Sequence, residues 1–354
     1  MERFVHARLS EWTTFGLGGP ADALVAADSE SELIEIVREL DEHRSPCMIL
    51  GGGSNLVIAD EGVRGTVVHV RTRGIAATRG GDSVLVRVAA GEPWDAFVAR
   101  AVQEGWSGVE CLSGIPGLVG ATPMQNVGAY GADVSQTMEE LRCYDRITKN
   151  VVTLRAEECA FAYRSSRFRG SERFLILEVS FRFSQRNESM PITYLELGRA
   201  LGVSVGGSAP LSVVRETVIA LRRGKGMVAD PSDPESRSAG SFFTNPIVES
   251  EELHAIKARV LHRLGPSATM PVFPESEGRS KLAAGWLIEQ AGFRKGEGER
   301  VGISKKHALA LVNRGGTTRE LVAFARGVQE RVWDVFGVRL EPEPILVGVT
   351  LESA

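Results

Sequence analysis

The feature that most constrains the fold is a glycine-rich stretch near the middle of the chain. It reads Leu112-Ser-Gly-Ile-Pro-Gly-Leu-Val-Gly-Ala-Thr-Pro-Met-Gln-Asn-Val-Gly-Ala-Tyr-Gly-Ala132. Its repeated glycines withhold side chains where backbone must approach another group closely, and its prolines fix turns. Backbone amides in such turns suit a phosphate or a planar ring. The stretch therefore predicts a ligand-binding loop, although its glycines can also simply form turns.

A second glycine run follows a short apolar segment. Residues 45–50 predict a buried strand, and Gly51-Gly-Gly-Ser-Asn-Leu56 begins where that strand ends. Bare amides at the carboxyl end of a strand favour binding of a diphosphate. Neither run has the G-x-G-x-x-G spacing of the dinucleotide fingerprint, so a Rossmann fold is only weakly indicated.

Several motifs together resemble those of a known family. In chain order they are Thr14-Phe15 with Gly18-Gly-Pro-Ala21, Leu50–Leu56, Gly114–Gly120, Gln125–Gly131, Tyr163–Phe168, Gly240–Pro246, Ala284–Gln290 and Leu340–Glu343. These motifs are similar to those of the UDP-N-acetylenolpyruvoylglucosamine reductase (MurB) family, and they span nearly the whole chain. The resemblance implies a flavoenzyme of peptidoglycan precursor synthesis that contains non-covalent FAD. It also implies that NADPH is used to reduce UDP-N-acetylglucosamine enolpyruvate to UDP-N-acetylmuramate.

The resemblance also implies a fold class. It is α+β, with a two-part FAD-binding domain of the PCMH (vanillyl-alcohol oxidase-like) type and a C-terminal α/β substrate-binding domain. The polar, proline-ended segment 184–191 suggests a boundary. We expect the FAD-binding domain at 12–186, with subdomains of about 12–71 and 72–186, and the substrate-binding domain at 205–354.

Hydrophobic periodicity predicts the main helices and strands. Helices are expected at 32–40, 93–104, 210–224, 281–291 and 317–336, and strands at 45–50, 66–70, 84–90, 140–144, 151–154 and 174–183. Ser29 and Glu32 have the spacing of a capping box before the first helix. The breaker-rich segment 229–238 can be a lid or merely a connector.

The family resemblance assigns cofactor binding to both glycine-rich segments. The residues are Gly51, Gly52, Gly53, Ser54, Asn55, Leu56, Ser113, Gly114, Ile115, Pro116, Gly117, Gly120, Ala121, Thr122, Gln125, Asn126, Gly128, Ala129 and Tyr130. Reduction of an enol ether that bears a carboxylate further requires an acid and a group that stabilises the intermediate carbanion.

The catalytic residues implied by the resemblance are Ser241, Arg164 and Glu343. Ser241 would donate the proton, while Arg164 and Glu343 would stabilise the carbanion. A planar guanidinium grips a carboxylate through two hydrogen bonds, which suits Arg164. Judged alone, Arg164 would be interpreted as part of a surface ion pair and Ser241 as the cap of a turn, and only the complete motifs favour the catalytic roles. Glu341 is the competing carboxylate.

On the substrate side the resemblance places Tyr163, Tyr194, Lys225, Asn245 and Gln290. The assignment of Tyr194 is the weakest, because Tyr-Leu-Glu-Leu departs from the Tyr-Gly-Asp-Leu usual in one form of the family. Arg222 and Arg223 precede Lys225 in the sequence and offer cations for a diphosphate. We favour the alternative that they only complement the dipole of the helix that ends there.

Composition restricts the possible partners. The 354-residue chain has 41 basic and 45 acidic residues, a formal charge of −4, which offers no broad surface for nucleic acid or an anionic membrane. The N-terminus lacks the apolar core of a signal peptide, and no run reaches the roughly twenty apolar residues of a membrane span. We expect a soluble cytoplasmic protein with no obligate protein partner.

The cysteines and histidines give no metal-binding pattern. Cys47, Cys111, Cys143 and Cys159 have no C-x-x-C spacing and are expected to be reduced core residues. His69 lies on an expected strand and is interpreted as half-buried rather than linked to flavin. Two other functions remain open: an oxidase of alcohols or hydroxy acids on the same flavin fold, and a nucleotide-sugar-binding protein or transferase without redox chemistry.

Overall fold

The computed structural model describes residues 2–352. The strands are β1 (Glu2–Arg8), β2 (Pro20–Ala27), β3 (Cys47–Leu50), β4 (Leu56–Ile58), β5 (Val63–Val70), β6 (Ile75–Gly80), β7 (Ser83–Ala89), β8 (Trp106–Ser107), β9 (Gly128–Ala129), β10 (Ala132–Asp133), β11 (Met138–Asp145), β12 (Asn150–Arg155), β13 (Phe174–Gln185), β14 (Ile247–Val248), β15 (Val272–Pro274), β16 (Ser280–Leu282), β17 (Val301–Ile303), β18 (Leu311–Asn313) and β19 (Ile345–Val347). The helices are α1 (Glu30–Glu42), α2 (Trp94–Gln103), α3 (Leu195–Leu201), α4 (Leu211–Gly224), α5 (Ser250–Leu264), α6 (Ala284–Gln290) and α7 (Thr318–Phe336).

The chain divides into two compact units that are both discontinuous in sequence. The first unit comprises residues up to Ala7, Pro20–Ser54 and Val63–Gly224. The second comprises Arg8–Gly19, Asn55–Gly62 and the chain from Lys225 onward. The domain limits expected from the sequence, 12–186 and 205–354, stay a prediction.

Two main sheets form the first unit. The smaller has the order β1-β2-β5-β3, in which β5 runs parallel to both β2 and β3. The larger is built around β13, which pairs antiparallel with β11, β7 and β8. The core of this unit contains packed aromatic rings from α2 and β13, including Phe97 and Phe181 with ring centroids 5.2 Å apart.

The second unit is built from short strands and three helices. Its pairings are β14-β16-β15, the hairpin β17-β18, and β19 running parallel to β4. Helix α7 begins after Thr317, whose Oγ1 accepts a hydrogen bond from Glu320 N at 3.2 Å. It buries one apolar stripe, from Leu321 to Phe336, in the core.

Most predicted elements are confirmed, with two differences. Ser29 caps α1 by accepting from Glu32 N at 3.3 Å, but the Glu32 carboxylate accepts from Asp28 N, one residue before the expected partner. The helix predicted at 281–291 begins only at Ala284, because Ser280–Leu282 pairs as strand β16 between β14 and β15. Within residues 2–352, no helix combines the length and apolarity needed to cross a lipid bilayer.

Candidate functional site

The two glycine-rich segments lie side by side in the first unit. A Cβ added to Gly52 would stand 2.8 Å from Gly117 Cα, closer than real contacts allow. Gly117 has φ +121°, and a Cβ added there would stand 2.7 Å from Ser54 Oγ. Glycine is therefore required at both positions for the backbones to meet. Closely packed backbone without side chains suits a diphosphate or a planar ring, so these residues fit FAD.

Some amides of the central stretch are already engaged by protein groups. Gly114 N donates to Asp95 Oδ1 at 2.6 Å, and Gly120 N donates to Ala90 O at 2.8 Å. A Cβ added to Gly120 would stand 2.5 Å from the Ala90 side chain. Asp95 also forms a two-pronged ion pair with Arg215 at 2.6 and 2.9 Å. Gly114 and Gly120 thus shape the loop through packing and internal bonds.

Three polar side chains of the same stretch are buried and bonded internally. Ser113 Oγ donates to Glu110 O, and Thr122 Oγ1 donates to Val119 O. Asn126 has φ +47° and accepts from a backbone N–H nine residues further on at 3.0 Å. These side chains hold the loop in shape. The cofactor binding predicted for the three residues would therefore involve their backbone groups.

Arg164 is held in a strained and well-defined position. Its φ of +51° lies in the left-handed region, which a non-glycine residue rarely adopts. Nη2 donates to Gly128 O at 2.7 Å, and the guanidinium carbon lies 5.3 Å from the centre of the Tyr163 ring. Arg164 is half-buried, which argues against the surface ion pair as its main role. The structure brings Arg164, Tyr163 and Gly128 together.

Tyr194 lies beside a residue of the predicted cofactor segment. Its ring meets that of Tyr130 edge to face, with centroids 5.5 Å apart. Burial raises the pKa of Tyr130 to about 12. A Cβ added to Gly131 would stand 2.5 Å from Thr193 Oγ1, so the segment before α3 packs closely on this loop. The position is consistent with a site role for Tyr194, which stays a prediction.

Arg222 is a buried cation, and its burial was not predicted from the sequence. It is 8% exposed, and this burial lowers the pKa of the guanidinium to about 10, while Tyr130 and Asp95 favour the charge. The neighbouring Arg223 is exposed, and the interpretation that the pair complements the dipole of α4 stays a prediction. The missed signal is spacing, because position 222 falls four residues after Val218 on the buried face of α4.

In the second unit, the segments that carry Ser241 and Glu343 are hydrogen-bonded neighbours. Glu343 N donates to Phe242 O at 2.8 Å, and Thr244 N donates to Glu341 O at 3.0 Å. Phe242 is fully buried, whereas Ser241 and Glu343 are half-buried. Two of the three predicted catalytic residues therefore project from adjacent, firmly paired backbone.

The predicted cofactor residues Asn55 and Leu56 join this arrangement. Asn55 Nδ2 donates to Glu343 O at 3.3 Å, and Ile345 N donates to Asn55 O at 2.9 Å. Leu56 begins β4, which pairs with β19. The end of the glycine run at 51–56 is thus hydrogen-bonded directly to the segment of Glu343.

The remaining substrate-side residues also lie in the second unit. Asn245 Oδ1 accepts from Ala284 N at 3.0 Å and so satisfies the first turn of α6, the helix that ends at Gln290. Lys225 directly follows α4, and both it and Gln290 are half-buried. Asn245 therefore has a clear structural role in addition to the binding role predicted for it.

Comparison with known proteins identifies the class. Residues 21–149 match the family model of an FAD binding domain, and residues 231–347 match the model described as UDP-N-acetylenolpyruvoylglucosamine reductase, C-terminal domain. The combination defines a flavin-dependent reductase. The UDP-N-acetylenolpyruvoylglucosamine reductase of Thermobifida fusca is 54% identical over 97% of both chains. That of Streptomyces coelicolor is 51% identical over 98% of this chain and 90% of the relative.

The chain belongs to the family of UDP-N-acetylenolpyruvoylglucosamine reductases. A crystal structure of this reductase from Thermus caldophilus covers 98% of each chain with a TM-score of 0.64 at 23% identity, which shows the shared fold. The family and the fold class predicted from the sequence are confirmed, and FAD is the cofactor.

Proposed function

We propose that this protein reduces UDP-N-acetylglucosamine enolpyruvate to UDP-N-acetylmuramate for peptidoglycan synthesis, with NADPH as the co-substrate. Membership of the reductase family supports the reaction. The observation that carries the assignment of residues is the 2.8 Å hydrogen bond from Glu343 N to Phe242 O, which sets the segments of Ser241 and Glu343 side by side. We expect the protein to act in the cytoplasm without nucleic acid, a membrane or an obligate protein partner.

FAD held by the two glycine-rich segments would supply the hydride for the enolpyruvyl double bond after its reduction by NADPH. The protein must then hold the substrate carboxylate and deliver a proton. In our proposal the Arg164 guanidinium binds that carboxylate, and its fixed contacts with Gly128 and Tyr163 preserve its orientation. Glu343 completes the stabilisation of the carbanion, which requires it to be protonated or bridged by the guanidinium.

Ser241 is proposed as the proton donor. A serine hydroxyl is a weak acid, so it can donate only to a strongly basic carbanion held close in a water-poor environment. Its neighbours Phe242 and Phe243 are both essentially buried and pack edge to face at 5.0 Å. They provide a rigid and apolar support for the hydroxyl.

Substrate binding is proposed for Tyr163, Tyr194, Lys225, Asn245 and Gln290. Lys225 offers a positive charge for the diphosphate of a UDP-sugar, and Tyr194 is placed beside Tyr130 of the cofactor segment. Cofactor binding is proposed for the two glycine-rich segments, whose backbones approach each other closely at Gly52 and Gly117.

An anaerobic two-step titration tests the function. Addition of NADPH should bleach the flavin absorbance, and subsequent addition of the enolpyruvyl UDP-sugar should restore it. Oxygen consumption without NADPH would instead indicate an oxidase. A purified protein that remains colourless after reconstitution with FAD would indicate a nucleotide-sugar-binding protein without redox chemistry.

A further inference from the structure

The segment 229–238, interpreted from the sequence as a lid or a connector, is held in place by a buried carboxylate. Glu235 is 6% exposed. Its Oε2 accepts from Ser304 Oγ at 2.8 Å and from Lys305 N at 2.6 Å. Its Oε1 accepts from Arg314 Nε at 3.1 Å. All three groups that face the carboxylate are donors, so a charged acceptor satisfies them together.

These contacts join the start of the loop that connects β17 to β18 with the residue that follows β18. Ser304 and Lys305 begin that loop, and Arg314 follows β18. Arg314 Nη2 also donates to Ile303 O at 2.8 Å. Glu235 therefore fixes the start of the loop and links it to the open end of the β17–β18 hairpin.

The same hairpin supports the backbone on both sides of Ser241. Asn313 N donates to Arg237 O at 3.0 Å, before Ser241 in the chain, and Phe242 N donates to Leu309 O at 2.7 Å, directly after it. The backbone on both sides of Ser241 is thus hydrogen-bonded to the β17–β18 hairpin. Glu235 binds the first residues of the loop of that hairpin.

We propose that Glu235 is a positioning residue for Ser241. By holding Ser304 and Lys305 at the start of the 304–310 loop, it fixes the loop that carries Leu309. The hydrogen bond from Phe242 N to Leu309 O then sets the backbone that carries the serine hydroxyl. This inference rests on the proposed function, since it assumes that Ser241 delivers a proton. Proton transfer depends steeply on geometry, and a displacement of about 1 Å can slow a reaction about a hundredfold.

The test compares Glu235→Gln with Glu275→Gln in the full-length holoenzyme. The glutamine amide preserves shape but turns an NH2 group toward donors, which should loosen the loop. Glu275 is a matched control because its carboxylate pairs with Lys281 at 2.9 Å in the same unit and makes none of the contacts described for Glu235.

Two measurements distinguish positioning from general support. Hydrogen exchange followed by mass spectrometry should show faster exchange in the peptide that contains Phe242 for Glu235→Gln, and no change for Glu275→Gln. In anaerobic stopped-flow, reduction by NADPH should stay within about twofold of the wild-type rate. Reoxidation by the enolpyruvyl UDP-sugar should slow by about tenfold to a hundredfold and show an increased solvent isotope effect.

The outcomes separate this inference from the proposed function. If the wild-type flavin is not reoxidised by the UDP-sugar, the proposed function fails. If the wild type behaves as proposed but Glu235→Gln matches it in both half-reactions, or slows both equally, the positioning role is wrong. Should Glu235→Gln not fold, Ser304→Ala removes one bond to the carboxylate and must show the same selective slowing, to a smaller extent.

Discussion

Two glutamates one proline apart have different surroundings at the end of the chain. Glu341 is exposed and pairs with Arg339 at 3.1 Å, which is the arrangement of a solvated surface ion pair. Glu343 is half-buried, and its backbone is bonded to Phe242 and Asn55. The sequence alone could not choose between them, because burial depends on the pairing with the distant Gly240–Pro246 segment.

This contrast gives the first prediction. Glu343→Gln should lower turnover by about a hundredfold, since removal of a group that stabilises developing negative charge has effects of that order. Glu341→Gln should leave turnover unchanged. Steady-state rates with NADPH and the enolpyruvyl UDP-sugar provide the measurement. Normal turnover of the first variant with a loss in the second would show that Glu341 is the functional carboxylate.

The second prediction concerns Ser241, the proposed proton donor. Ser241→Ala should leave flavin bleaching by NADPH intact but slow reoxidation by the UDP-sugar by about two to four decades, the usual loss for a missing general acid. Rapid-mixing absorbance under anaerobic conditions separates the two steps. Reoxidation at the wild-type rate would remove Ser241 from this role.

Among the elements, the glycine-rich segments show why particular glycines are needed. Gly52→Ala would place a methyl group 2.8 Å from Gly117 Cα, and a backbone atom cannot yield cheaply. We expect a loss of about 1–3 kcal/mol of stability and reduced retention of FAD. Gly80→Ala is the control, because a Cβ there meets nothing within 4 Å. Melting temperature and flavin content per protein are the readouts, and equal values for both variants would contradict the packing account.

The elements also show how far the sequence allows prediction. Helices α1, α2, α4 and α7 were predictable because each has a continuous apolar face. Helix α5 was not predicted, since over its fifteen residues it buries only Ile256 and Val260. The start of α6 was misplaced because pairing between β16 and distant strands overrides local helical periodicity.

The candidate site, like the helices and strands, was only partly predictable from the sequence. The motifs supplied the candidate residues, whose roles stay predictions. The capping of α6 by Asn245 and the burial of Arg222 depend on contacts distant in sequence, and Asn126 is bonded to a residue nine positions away. Only for Arg222 did the helical spacing contain a local signal. The anchoring of segment 229–238 by Glu235 had none, because its three donors come from Ser304, Lys305 and Arg314.

For the molecule as a whole, acid stability should depend on paired carboxylates. The Arg173 guanidinium, at 2.7 Å, holds the pKa of Asp145 below its ordinary value of 3.8. The group therefore stabilises the fold above about pH 3.8, and that stabilisation is lost as the pH falls through the lowered pKa.

Replacement of this carboxylate provides the corresponding prediction. Asp145→Asn should lower the urea midpoint at neutral pH. As the pH falls, the urea midpoint of this variant should decrease less steeply than that of the wild type. Asp82→Asn, at an exposed turn of the same unit, should change neither the urea midpoint at neutral pH nor its dependence on pH. A parallel decline in all three proteins would show that the pair with Arg173 does not contribute.

The interleaving of the two units affects the order in which the protein can form during synthesis. Phe15 and Val57 belong to the core of the second unit, and β4 pairs with β19 near the opposite terminus. A nascent chain thus releases these residues from the ribosome hundreds of residues before their partners are translated. Until then these apolar residues lack their packing partners and can associate with other chains. Truncated translation would therefore yield a product in which the second unit has no complete core and β4 has no strand β19 to pair with.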